Sequence, residues 1–289
     1  MTAGDPKIGI PKIGLPMGRL NPGLWVAVSE EADRLGFESV WLPEHLVFPV
    51  TIHGSPRDGE EHPPVPPNVP VFDVFVYMGV LAGRTSRIRL GSHVYNIGLR
   101  HPFVTARAVA TLDILSGGRF EFGIGSSWLK EEWDAAELDF ATRGRRVNEA
   151  IGICRRLWSE PVIEHHGEFF NFDPVMFEPK PLQKPYPKIH VGGDAPVSLR
   201  RAAQLGDGWI PMNHSLEQMP AAIKRIAEMR EAAGRPGRTE ITLGLPVNEM
   251  SDLESCAAAG IDRVIVCPWT SSKNALDSIK RFAEKFLHN

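Results

Sequence analysis

The sequence predicts a closed (β/α)8 barrel, the TIM-barrel architecture of the α/β class. Three observations support this prediction: short apolar strands alternate with helical patterns, the alternation repeats eight times, and 289 residues suffice for one such barrel. Alternation of this kind implies parallel strands with right-handed crossovers, and eight units favour closure over an open sheet. We therefore expect one barrel domain over residues 1–289, with its chemistry at the C-terminal ends of the strands.

The predicted strands are short apolar runs that end at glycine, proline or polar residues. They cover residues 7–15, 39–42, an interrupted run within 87–102, and then 119–125, 188–193, 207–212, 241–246 and 263–268. Helices follow from apolar residues at helical spacing and from start signals such as Asn21-Pro22 and His101-Pro102. They are predicted from 21 to 36, at 73–82, from 101 to 117, and at 142–158, 197–205, 217–233, 252–259 and 274–287.

Two segments break this alternation and are predicted as insertions after strands two and four. Residues 46–71 contain seven prolines and no periodicity, which is typical of a functional loop or of disorder. Because this segment directly follows a strand, we interpret it as a lid or wall of an active site. Residues 161–187 are interpreted as an excursion from the barrel that includes a small hairpin.

Composition excludes several classes of partner. The net charge is −3 and no basic run is present, so we expect no nucleic-acid partner, and no apolar run approaches the roughly 20 residues that span a bilayer. The three cysteines, Cys154, Cys256 and Cys267, are widely spaced in apolar surroundings. They predict buried thiols in a reducing compartment, with no disulfide framework and no metal site. A cytoplasmic protein without a membrane partner is therefore expected.

The third predicted strand contains an interruption at Gly91-Ser92-His93. A glycine within a strand marks a bulge or a close approach of another group to the backbone, but the strand could equally end at Gly91. Taken alone, this stretch leaves both interpretations open.

A glycine-rich turn, Gly192-Gly193-Asp194-Ala195, connects the fifth predicted strand to a helix. Two glycines allow the backbone to approach a ligand, and free amides at a helix start attract phosphate. Asp194 does not decide between a phosphate site and an ordinary turn. Its carboxylate would compete with a phosphate unless the side chain turned away. An ordinary tight turn is the alternative interpretation.

His45 follows the second predicted strand and could transfer a proton, although a lone histidine at a strand end is more often a hydrogen-bonded structural residue. Other strand ends carry His93, Ser126 and Trp128; a tryptophan there could wall an aromatic ring or simply fill the core. No nucleophile elbow, Ser-His-Asp order or zinc motif is visible. The residues alone predict a barrel enzyme that binds a phosphate-bearing ligand containing a ring.

Several motifs resemble the bacterial luciferase-like superfamily of flavin and deazaflavin barrel oxidoreductases, and most closely its actinobacterial members that use coenzyme F-420. The resemblance runs from about Leu35 to Met212. Its carriers are Leu-Gly-Phe-Glu-Ser-Val-Trp-Leu-Pro-Glu-His (35–45), Thr-Ser-Arg-Ile-Arg-Leu-Gly-Ser (85–92), Leu-Arg-His-Pro (99–102), Ala-Thr-Leu-Asp-Ile-Leu-Ser-Gly-Gly-Arg-Phe (110–120), Gly-Ile-Gly-Ser-Ser-Trp (123–128), His-Gly-Glu-Phe-Phe-Asn-Phe (166–172), Val-Gly-Gly (191–193) and Leu-Gly-Asp-Gly-Trp (205–209).

The resemblance implies a set of site residues. A non-prolyl cis peptide supporting the flavin ring is expected at Ser92–His93, the cofactor phosphate at the Gly192-Gly193 turn, and His45 near the reacting face of the ring. The implied catalytic residue is His45, and no metal ligand is implied. The implied cofactor-binding residues are Glu44, Ser92, His93, Gly125, Ser126, Trp128, Gly192, Gly193, Asp194 and Ala195.

The function implied by the resemblance is hydride transfer between coenzyme F-420, an 8-hydroxy-5-deazaflavin, and a small organic substrate. The alternatives are an FMN-dependent monooxygenase and a non-catalytic carrier of flavin or F-420. Ser126 stands where sugar-phosphate dehydrogenases of this group have an acidic residue, which argues against their substrate and their proton transfer. A homodimer is expected because it is usual in the superfamily.

Overall fold

The structure is a computed structural model that describes residues 9–53 and 68–288. Within these ranges the strands are β1 (Lys12–Pro16), β2 (Ser39–Leu42), β3 (Arg89–Ser92), β4 (Tyr95–Asn96), β5 (Phe120–Gly125), β6 (Val162–His166), β7 (Asn171–Met176), β8 (Ile189–Gly192), β9 (Gly208–Ile210), β10 (Glu240–Gly244) and β11 (Arg263–Ile265). The α-helices in the same ranges are α1 (Trp25–Leu35), α2 (Val74–Arg84), α3 (Pro102–Leu115), α4 (Lys130–Ala135), α5 (Arg143–Ser159), α6 (Pro196–Gln204), α7 (Met219–Ala232), α8 (Met250–Ala258) and α9 (Ala275–Phe286).

A closed barrel of eight parallel strands forms the centre of the molecule and confirms the predicted fold class. Its strands follow the order β1, β2, β3, β5, β8, β9, β10 and β11, and β11 pairs with β1 to close the ring. The short strand β4 extends the line of β3 and pairs with β5. All eight barrel strands were predicted. The first strand begins at Lys12, whereas the prediction began at residue 7; residues 7 and 8 lie outside the described ranges.

The two predicted insertions differ in how much of them is described. Residues 162–176 form the antiparallel hairpin of β6 and β7, which confirms the expected hairpin. Residues 46–53 and 68–71 contain neither helix nor strand, in agreement with a loop, while residues 54–67 of that loop lie outside the described ranges. The single-domain organisation over residues 1–289 stays a prediction.

The barrel interior is filled by side chains in layers. Near the C-terminal ends of the strands, Trp41, Ile210 and Ile265 form a buried apolar cluster against which Val94 packs. Towards the opposite end, Glu121 and Arg263 are buried in a network of ion pairs. The barrel is therefore a packed core, and the apolar cluster forms the floor beneath its C-terminal mouth.

All three cysteines are free thiols, and Cys154 and Cys256 are buried as predicted, whereas Cys267 is only half-buried. Burial raises the pKa of the Cys256 thiol to about 11. Among the described residues, no helix is both long and apolar enough to cross a membrane.

Candidate active site

The strongest constellation of reactive groups lies at the C-terminal mouth, where His45 meets a residue that the sequence analysis did not select. His45 follows β2, and its Nδ1 lies 3.2 Å from Oε2 of Glu132 in α4. The other oxygen, Oε1, accepts a hydrogen bond from the Leu46 amide at 2.5 Å, and Ser127 Oγ donates to Oε2 at 3.3 Å. The carboxylate of Glu132 is completely buried and holds both His45 and the start of the following loop.

This arrangement fixes the orientation of the imidazole. Because Glu132 accepts the hydrogen bond, Nδ1 carries the proton and Nε2 is left for contact with a ligand. Phe48 packs on the His45 ring with a centroid distance of 4.5 Å, and Trp128 approaches it edge-on at 6.1 Å. A histidine held by a carboxylate and bordered by aromatic rings is suited to general acid–base chemistry.

The role of Glu132 was missed because α4 was not predicted. The helix is only six residues long, Lys130–Ala135, and a segment this short shows no periodicity. Ser126 itself is half-buried and provides no carboxylate. The acidic side chain at the mouth is instead that of Glu132, six residues later in the chain. Two adjacent acidic residues, Glu131 and Glu132, follow the end of β5, and this pair was the sequence signal from which an acidic group at the mouth could have been predicted.

The interruption after β3 lies later in the chain than the sequence analysis predicted. Gly91 is a regular strand residue, and a Cβ there would lie 2.3 Å from the indole of Trp41, so the glycine makes room for that side chain. The strand continues to Ser92, and the non-prolyl cis peptide is His93–Val94. The expected cis peptide at Ser92–His93 was therefore wrong by one residue. Burial lowers the pKa of the half-buried His93 to about 4, so its ring is neutral at neutral pH.

Two of the expected cofactor contacts are engaged within the protein. Ser92 is fully buried, and its hydroxyl donates to the Gly123 carbonyl at 2.7 Å. The buried Glu44 carboxylate accepts from the Asn96 amide at 2.8 Å and from Arg100 at 2.6 Å. Glu44 thus links the end of β2 to β4, and Ser92 links β3 to β5, while their assignment as cofactor contacts stays a prediction.

The glycine-rich turn after β8 is held rigidly by β9. The Gly193 amide donates to the Ile210 carbonyl at 3.1 Å, and the Gly193 carbonyl accepts from Nε1 of Trp209 at 2.9 Å. Gly193 has a φ of 111°, which favours glycine, and a Cβ on Gly192 would lie 2.9 Å from the side chain of Val94. Both glycines are thus required by the local geometry. Gly125 is similar, because a Cβ there would lie 2.7 Å from Val94.

The side chain of Asp194 turns away from the helix that follows. Its carboxylate accepts from the amides of Met212 at 3.0 Å and Asn213 at 3.1 Å, beyond the end of β9. The N-cap of α6 is Ala195, which provides no side-chain cap, and Pro196 occupies the first turn. The start of α6 therefore keeps its amides available, as an anion site requires.

A second group of charged residues lies at the opposite, N-terminal end of the barrel. The completely buried Arg263 bonds Glu38 and Glu240 at 2.7 Å, and His190 lies 2.6 Å from Glu121. Charges at this end of a barrel belong to its structural core, because the strands present their functional residues at the other end. No group of three or more potential metal ligands occurs in residues 9–53 and 68–288.

Comparison with known proteins agrees with the fold. Residues 20–258 match the family described as luciferase-like monooxygenase. An uncharacterised protein of Mycobacterium tuberculosis is 30% identical over 275 residues, which cover 92% of this chain and 93% of that protein.

Two solved structures have the same fold. A monooxygenase from Streptomyces bottropensis has a TM-score of 0.74 at 22% identity, covering 96% of this chain and 98% of its own. An F-420-dependent secondary alcohol dehydrogenase, solved with an F-420–acetone adduct, has a TM-score of 0.77 at 16% identity, covering 94% and 98%. The chain belongs to the luciferase-like monooxygenase family, and it is an enzyme of this oxidoreductase superfamily.

Proposed function

We propose that the enzyme transfers a hydride between coenzyme F-420 and a small organic substrate. The observation that carries this proposal is the His45–Glu132 pair, which puts a fixed proton-transfer group at the mouth of the barrel. Hydride transfer to a carbonyl carbon requires a proton for the oxygen, and hydride transfer from the carbon of an alcohol requires removal of the hydroxyl proton; an oriented histidine can supply or remove this proton. The similarity to an F-420-dependent alcohol dehydrogenase supports the same chemistry.

The residues at the mouth fit a cofactor that combines a ring with a phosphate. The amides of Asp194 and Ala195, at the uncapped start of α6 beside the Gly193 turn, would hold the phosphate. Val94, above the apolar floor of Ile210 and Ile265, would contact the ring. The bound deazaflavin would supply the hydride donor or acceptor.

The residues of the chain then perform the remaining tasks. His45 would donate a proton from Nε2 to the substrate oxygen during reduction and accept it during oxidation. Glu132 stabilises the positively charged imidazole and prevents its rotation. Phe48 and Trp128 shield this face from water, which strengthens the interaction between His45 and Glu132.

A second candidate function is an FMN-dependent monooxygenase. The similarity to the Streptomyces monooxygenase, which covers nearly the whole of both chains, favours it. Oxygen activation requires the flavin nitrogen at position five, which a deazaflavin lacks, so the two candidates differ in mechanism and can be separated.

The test is to compare the binding of F-420 and FMN with that of a buffer control, by thermal shift and by fluorescence titration. Tighter binding of F-420, followed by anaerobic turnover of alcohols, ketones or enones, is the expected result. An affinity for F-420 no better than millimolar would refute the proposal. Tight FMN binding with substrate-dependent oxygen consumption would establish the second candidate, and binding without any turnover would indicate the carrier.

We also propose that the enzyme is a homodimer formed through the outward faces of α2 and α3, which pack side by side. These faces expose Val76, Val80, Val104 and Leu115 to solvent. Gly79 of α2 has open space where a Cβ would lie, so no other part of the described chain packs against the helix at this point. We expect these exposed apolar side chains to meet the same faces of a second copy in a symmetric interface.

A further inference from the structure

A second histidine–carboxylate pair lies at the mouth, next to the Gly193 turn. Nδ1 of His214 is 2.6 Å from Oδ1 of Asp194. The His214 ring also packs edge-on against Trp209 at a centroid distance of 5.0 Å, and the same indole donates to the Gly193 carbonyl. His214 is thus fixed through one nitrogen and one side of its ring, as part of the same rigid unit as the turn.

A buried hydroxyl also faces this turn. Ser198 lies in the first turn of α6 and is only 6% exposed, and its Oγ is 2.9 Å from the position that a Cβ on Gly193 would occupy. Within the part of the chain that the structure describes, neither Ser198 Oγ nor His214 Nε2 has a hydrogen-bond partner. An unpaired hydroxyl on a residue that is only 6% exposed, beside an uncapped helix start, is available to a ligand at this turn.

The charge of Asp194 explains why a histidine is needed here. A carboxylate beside an anion site would repel the anion unless another group compensated its charge. With Asp194 as acceptor at Nδ1 and a bound anion as acceptor at Nε2, His214 would hold a proton on each nitrogen, and its positive charge would offset that of Asp194. Asp194, which alone would repel an anion at the turn, thereby holds His214 in position to bind one.

We infer that His214 binds the phosphate ester of the flavin-type cofactor through Nε2, with Asp194 as its positioning residue. This inference rests on the proposed function, because it assumes that the cofactor phosphate lies at the Gly193 turn. It adds a side-chain contact to a site that the backbone amides alone would otherwise form.

The experiment compares cofactors with and without phosphate. Dissociation constants are measured for FMN and riboflavin, and for F-420 and its phosphate-free 8-hydroxy-5-deazariboflavin parent. The ratio for FMN and riboflavin isolates the phosphate contribution, because these two molecules differ only in that group, and both ratios are independent of the fraction of folded protein. His214→Asn keeps an amide at the position of Nδ1 but removes Nε2, and we expect it to reduce the ratio about tenfold, as the loss of one charge-assisted hydrogen bond would.

Two further variants make the test specific. His214→Gln places an amide near the position of Nε2 and should keep a larger ratio than His214→Asn; equal ratios would overturn the assignment of Nε2. His165→Asn is the matched control, because His165 lies 3.0 Å from Glu149 in a comparable half-buried pair on the distant hairpin. It should leave the ratio unchanged.

The possible failures are distinguishable. If wild-type protein prefers the phosphate-bearing cofactors and His214→Asn retains that preference, the role of His214 is refuted while the proposed function stands. If wild-type protein shows no preference in either pair, the phosphate site itself is refuted, and the inference fails with it. Inorganic phosphate added to the riboflavin titration distinguishes a free anion from a cofactor phosphate: no effect up to millimolar phosphate is expected, and enhanced riboflavin binding would overturn the assignment to the ester.

Discussion

Nδ1 of His45 lies 3.2 Å from Oε2 of Glu132, although 87 residues separate the two in the sequence. The histidine comes from the end of β2, and the glutamate comes from a short helix after β5. The pair therefore forms only when two separate loops of the barrel mouth are docked together. Because Glu132 also accepts the Leu46 amide, the same carboxylate fixes the imidazole and the start of the loop that follows it.

Replacement of His45 is expected to reduce turnover far more than cofactor affinity. His45→Ala removes the proton-transfer group and should lower kcat about 100-fold or more, with the cofactor Kd changed no more than about twofold. Glu132→Gln keeps the shape but removes the charge that stabilises the imidazolium, so an intermediate loss of kcat is expected. Steady-state kinetics and cofactor titration on each variant measure both quantities.

The neighbouring residue provides the control for this prediction. Glu131 lies next to Glu132 in α4 and contacts His53 at 2.7 Å, but His53 is largely exposed. Glu131→Gln should therefore leave kcat within about twofold of wild type, because exposed pairs contribute little. Equal losses in the two glutamate variants would contradict a specific role for Glu132.

The conformation of Gly193 predicts a selective effect of alanine. Gly193→Ala forces a side chain into positive φ against Ser198 and should destabilise the protein by about 1–2 kcal/mol while weakening cofactor binding. Gly152→Ala, in the middle of α5 with no atom near its Cβ position, should stabilise by about 0.5–1 kcal/mol. Urea unfolding measures both, and a shift of the same sign in the two variants would refute the argument.

The ion-pair network at the N-terminal end predicts a loss of stability in acid. Burial raises the pKa of Glu240, but the charges of Arg263 and His190 and the hydrogen bond from Lys188 outweigh it and lower the pKa to about 2. A carboxylate with a lowered pKa in the folded protein contributes stability above the pKa of the unfolded chain. This contribution decreases as the pH falls from about 5 towards 2.

Glu240→Gln should therefore reduce the free energy of unfolding by on the order of 2 kcal/mol at pH 7, and the deficit should shrink between pH 5 and pH 3. Urea midpoints measured across this range test the prediction. Glu228→Gln, in an exposed pair with Lys224 at 4.0 Å, is the control and should show no such dependence. A deficit for Glu240→Gln that stays constant with pH would contradict the network's role.

The proposed dimer predicts that charge on α2 produces monomers. Val76→Lys combined with Val80→Lys places two cations in the proposed interface, and sedimentation velocity should show a shift to half the wild-type mass. Met176→Lys is a matched control, because Met176 on the hairpin is 72% exposed, like Val76. It should leave the mass unchanged, and a wild-type monomer would refute the interface.

The order of strands and helices could be predicted from the sequence because each element carries local signals. His101 caps α3 as its motif indicates, and Gly36 ends α1 in the left-handed conformation. The glycine-rich turn was located correctly for the same reason, since its conformation depends on residues adjacent in the chain.

The parts that could not be predicted depend on contacts between distant segments. Gly91 indicated an interruption, yet its small size serves the indole of Trp41 on the neighbouring strand. The direction of the Asp194 side chain depends on Met212 and the residues after β9, and Glu132 has significance only through His45. Patterns within a segment do not contain such information.

Arg263 has a consequence for how the chain acquires its structure. Its guanidinium bonds Glu38, 225 residues earlier, and Glu240, and it belongs to β11, the last strand of the barrel. A chain still in synthesis that lacks β11 would place Glu38, Glu121 and Glu240 together without the cation that they share, and the loss of one member of a buried ionic network is strongly unfavourable. The barrel is therefore expected to fold cooperatively only after the C-terminal segment has emerged, so fragments ending before residue 263 should remain sensitive to proteolysis.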